Sequence, residues 1–136
     1  MYLIDCRLKP AKLTDETYLS AYPPVAKLPD SIITNIFTLQ RRLIECIDAT
    51  TAMEFRLFQE IGETSETRPE LEELQNIKER LLSSNSRLYN LLLRVSQSQP
   101  IASKGVLDLL YESIELAQTC LDTSIASLQD IQRNWN

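Results

Sequence analysis

Apolar residues recur along most of this chain at alternating steps of three and four, the spacing that lines up one face of an α-helix. Three such runs stand out. The first, Ile32, Ile36, Leu39, Leu43, Cys46, Thr50, Met53 and Leu57, predicts a helix from about Ser31 to Ile61. Asp30 is placed to cap its start, and Gly62 follows its last periodic residue, where a left-handed terminator is expected. The second, Leu74, Ile77, Leu81, Ser84, Leu88, Leu91 and Val95, predicts a helix over about 68–97. Thr67-Arg68-Pro69-Glu70 reads as its capping box, with proline in the first turn. The third, from Leu107 through Leu110, Ile114, Ala117, Leu121, Ser124, Leu128 and Ile131 to Trp135, predicts a helix over about 103–135.

Helices of this length are about 45 Å long. The connections, about 62–67 and 98–102, are short, and short connections favour antiparallel neighbours. The fold class expected is therefore all-α: an elongated antiparallel bundle of three long helices over residues 31–136. Residues 1–30 differ, holding four of the six prolines and three of the five tyrosines. They are expected to form an N-terminal arm with a short helix near Thr14–Thr17, ended by Pro23-Pro24. Folding the two hairpins about their turns brings Cys46, Ser84 and Ala117 to one level. That small-residue layer reads either as a waist of close helix approach or as a pocket. A pocket would want polar groups to orient a ligand, and none cluster there.

Composition narrows the class. With 136 residues, 43% hydrophobic and 24% charged, the chain has the make-up of one folded domain. Two glycines are too few for a hairpin-rich β fold. The net charge of −5 and pI near 4.8 point away from nucleic acid. The charge is uneven: between Glu54 and Glu79 stand eight acidic and three basic residues, a net of −5. That acidic stretch falls at the tip of the first hairpin, where it serves solubility or meets a basic partner. Three cysteines, Cys6, Cys46 and Cys120, match no zinc spacing, and two of them sit inside helical patterns. Their free-thiol character implies a reducing compartment, so the expected location is cytoplasmic. Asp5 interrupts the apolar start, so no signal peptide is expected, and no run is long enough for a membrane span.

The candidate chemistry is thin. No histidine occurs, which removes the commonest base and metal ligand. Carboxylates alone can hold Mg²⁺, and two groups merit weighing: Glu70, Glu72 and Glu73, and Asp108, Glu112 and Glu115. A metal-dependent nucleotide hydrolase built on them is one alternative reading. The first group, however, sits where a helix N-terminus favours acids anyway, and the second lies opposite its helix's seam. Arg80, Arg87 and Arg94 recur every seven residues on the second helix, and an RNA-contacting subunit of a ribonucleoprotein is a further alternative. Pairing with acids on neighbouring helices is the plainer role. Cys6 lacks a general base. No glycine-rich phosphate loop is present, no cofactor is implied, and no motif carries a function across from a known family.

The strongest signal is an apolar surplus. The first helix bears a second stripe, Phe37, Ile44, Phe55 and Phe58, about 100° or more from its main seam. It holds all three phenylalanines of the protein. Burying one such ring contributes about 1.5–3 kcal/mol, so a cover is expected. The arm, through Tyr2, Ile4, Tyr18 and Tyr22, is one candidate. A second copy of the chain or a different protein are the others. The function expected is a non-enzymatic protein–protein interaction, assembly or adaptor subunit that self-associates, with a homodimer as the simplest form.

Overall fold

A computed structural model of the protein describes residues 28–135, and 84% of these are helical, with no strand among them. The described residues form three α-helices: α1, Asp30–Glu60, α2, Arg68–Ser96, and α3, Lys104–Asn134. Each lies within one or two residues of its predicted bounds. Each also packs against both of the others.

The seams are those the periodicity predicts. From α1 the buried residues are Ile36, Leu39, Leu43, Cys46, Thr50, Met53 and Leu57. From α2 they include Leu74, Ile77, Leu81, Leu88, Leu91 and Val95, joined by Leu92. From α3 they are Leu110, Ala117, Leu121, Ser124, Leu128 and Ile131, with Ser113 fully buried in the slot assigned to Ile114. Ile32, Leu107, Ile114 and Trp135 sit half-buried at the margins. Leu28 and Ala102, outside the three periodic runs, are buried as well and close the core near two helix starts.

The helix ends follow local chemistry, with two departures from expectation. Gly62 has φ 86° and donates its N–H to the Leu57 carbonyl at 3.1 Å, so the expected left-handed terminator of α1 is present. Asp30 is the first helical residue rather than the cap; the Pro29 carbonyl accepts from Ile32 N–H at 3.0 Å, and the Asp30 carboxylate stands in the favourable first turn. The expected capping box at Thr67 does not form. Thr67 already has helical backbone angles, and its hydroxyl donates to the Gly62 carbonyl at 2.7 Å while accepting from Thr64 N–H at 2.8 Å. Thr64 takes the capping role one turn earlier: its hydroxyl accepts from the N–H groups of Glu66 and Thr67 at 3.2 and 3.1 Å. The turn between α1 and α2 is thus tied from within, with Thr67 fully buried.

Candidate interaction surface

The second stripe of α1 stands in the open. Phe37, Ile44, Phe55 and Phe58 are 57%, 55%, 65% and 55% exposed. Phe37, Ile44, Thr51 and Phe58 recur every seven residues, one position past the buried seam at Ile36, Leu43, Thr50 and Leu57. A one-residue step turns a side chain about 100° around the helix, which carries these rings off the core. The expected arm contacts, Tyr2, Ile4, Tyr18 and Tyr22, lie outside the described residues, as do the short helix and Cys6.

At the Gly62 end the stripe borders α2. Phe55 and Phe58, with Leu71 of α2, line a groove of about 680 Å³, whose rim carries Glu54, Glu63, Glu72 and Arg68. The rim charges are partly engaged. Glu54 and Lys78 pair at 2.7 Å between α1 and α2, both half-buried. Glu63 meets Arg68 at 3.6 Å. Glu72 is exposed on the rim.

Sequence reasoning missed the apolar surface of α2. Leu82, Tyr89 and Leu93 are all 40% exposed or more. The signal was available, since Leu82 and Tyr89 also recur seven apart, one position past the seam at Leu81 and Leu88. On α3, Leu109, Tyr111 and Leu116 are exposed too.

The other candidate groups are not brought together as sites. Among the described residues, no three acidic or cysteine side chains are placed to hold a metal ion. Asp108 is engaged by Lys104 at 2.9 Å, and Glu73 by Arg80 at 3.4 Å. Arg80 therefore pairs along its own helix, not with a neighbouring one. Arg87 and Arg94 line a shallow groove of about 490 Å³ beside Leu109 of α3, among Ser83, Ser86 and Asn90. In the small-residue layer, Cys46 and Ala117 are buried, while Ser84 is half-buried at the edge of an outer groove beside Leu116 and Cys120. Burial pushes the Cys46 thiol above the ordinary range, and the nearby Cys120 adds to this, while a hydrogen bond with Thr50 works against it. The side-chain oxygen of Asn85 is buried without a hydrogen-bond partner among the described residues. No helix among the described residues is long and apolar enough to cross a membrane.

No family model, curated protein or solved structure matches this chain.

Proposed function

We propose that the chain is a non-enzymatic protein–protein interaction subunit, of the adaptor or assembly kind, whose contact surface is the outer face of α1 and α2. The observation that carries this reading is the placement of all three phenylalanines on one exposed helix face. Rings of this size in water forgo a large burial term, and contiguous exposed apolar surface marks interaction sites.

The antiparallel course of the helices belongs to this reading. The Glu54–Lys78 pair and the approach of Phe58 to Leu71 support α2 running back along α1. In that register Leu82, Tyr89 and Leu93 come level with Thr51, Ile44 and Phe37, within about one turn. Seven-residue spacing on both helices then makes one long apolar face on the side away from α3. Its two halves differ. Around Phe37, Ile44, Tyr89 and Leu93 the charges are of both signs, Arg41 pairing with Glu45 at 3.5 Å, and such a mixed surface suits a second copy of the chain and hence a homodimer. Around Phe55 and Phe58 the rim is acidic. A cytoplasmic location fits the free thiols of Cys46 and Cys120.

The test is the solution mass of the full chain and of Phe37→Asp/Ile44→Asp, by light scattering on a size-exclusion column. The expected result is a dimer that becomes a monomer with unchanged helical circular dichroism. A chain whose mass is the same in both forms would remove the self-association.

A further inference from the structure

The acidic half of the face calls for a different occupant from the half that carries charges of both signs. A copy of this chain docking there by the same surface would set carboxylates against carboxylates. The ion pairs on that surface, Arg68 with Glu63, Lys78 with Glu54, and Arg41 with Glu45 at 3.5 Å, engage their cations and carboxylates one for one. Glu72 on the rim, and Glu66 and Glu70 beyond it, have no ion pair among the described residues. The groove runs between α1 and α2, and its apolar lining is Phe55, Phe58 and Leu71. Aromatic rings flanked by carboxylates without ion pairs recognise a segment that joins apolar side chains to basic ones.

Resting on the interaction reading above, we infer that this groove docks a basic amphipathic helix of another protein. One or two of its large apolar side chains sit on Phe55 and Phe58, and its lysine or arginine heads reach Glu72 and, beyond it, Glu66 and Glu70. The rings supply the anchoring area, since aromatic residues in partly enclosed pockets dominate interface energies. The carboxylates supply orientation and steering, which salt screens. Both rings are more than half exposed, so they can be replaced without opening the core.

The probe is a synthetic fluorescein-labelled helical peptide with leucine at positions i, i+3, i+4 and i+7 and lysine elsewhere. It is titrated into the full-length chain and followed by anisotropy, beside a control peptide in which glutamate replaces every lysine. The expected result is saturable binding of the lysine peptide alone, weakening about tenfold or more from low to high salt. Phe58→Ala weakens binding about tenfold, and Glu72→Lys several-fold, with unchanged circular dichroism. Equal binding of both peptides would overturn the inference, as would Phe58→Ala binding as tightly as the parent. So would no binding at low salt, whether residues 1–27 or a second copy fill the groove; a second copy would show as a dimer that Phe58→Asp dissociates. If the probe fails while Phe37→Asp/Ile44→Asp still breaks the dimer, the docking inference falls and the interaction reading stands.

Discussion

The two sides of α1 make an instructive pair. The side turned to α2 and α3 carries Leu39, Leu43, Cys46, Thr50 and Met53, and it is buried. The side turned outward carries Phe37, Ile44, Phe55 and Phe58, and it is exposed. By transfer free energy the outward set is at least as apolar, since the seam includes a threonine and a cysteine. Burial here follows from angular position relative to the neighbouring helices. The seam is narrow enough for small residues because two partners approach it; Thr50 satisfies its hydroxyl within the helix by donating to the Cys46 carbonyl at 2.7 Å. The outward rings are more than half exposed among the described residues, with Phe55 and Phe58 meeting α2 only along a groove edged by Leu71.

The sharpest way to break that comparison is to cut one residue from each side. Leu43 is fully buried, so Leu43→Ala should cost about 2–5 kcal/mol in urea unfolding. Phe58→Ala removes a larger group, yet in the isolated subunit it should shift stability by about 0.5 kcal/mol or less. Comparable losses at both positions would mean that Phe58 is packed within the subunit and that the outward face is ordinary core.

A smaller effect is expected where α2 carries an unsatisfied polar group. The Asn85 oxygen is buried without a partner among the described residues, and such a group costs more than the apolar contact that replaces it. Asn85→Leu should therefore raise stability by about 1 kcal/mol, read from the urea midpoint at constant slope. A loss of stability would show that the amide has a partner in solution.

The smallest effect concerns pH. With the Cys46 thiol raised mainly by burial, the unfolded chain releases this proton at lower pH than the folded one. The contribution is then complete below the ordinary thiol range and is lost as pH rises above it, because the unfolded state holds fewer protons there. The urea midpoint should fall as pH climbs through that range, and Cys46→Ala should flatten the slope. In the native protein the half-buried Cys120 should be alkylated before the buried Cys46. Equal rates would place Cys46 at the surface and undo the seam side of the comparison.

Much of this molecule was legible in its residues, because a helix seam is a local and periodic property. Nearly every residue assigned to the three seams is buried or half-buried, and Gly62 ends α1 in the left-handed conformation its position called for. The misses are positions where local rules compete. Thr67 had the sequence of a cap, but a helical turn had begun at Thr64, so its hydroxyl was spent on the Gly62 carbonyl. Leu28 and Ala102 are buried where the chain crosses the bundle ends, which no spacing along one helix reports, whereas Ser113 fits the seam spacing between Leu110 and Ala117 and was passed over for the more apolar Ile114.

The residues by themselves determined that three long amphipathic helices form, which face of each turns inward, and that α1 carries more apolar surface than its seam requires. All of these depend on steps of three and four within one helix, where the backbone fixes side-chain direction. Only the tertiary structure decided that the stripe stays open among the described residues. It alone set Phe55 and Phe58 beside Leu71 and Glu72, and drew Lys78 to Glu54. Those facts depend on which helices stand next to one another and at what level, and that is settled by the packing of all three seams together.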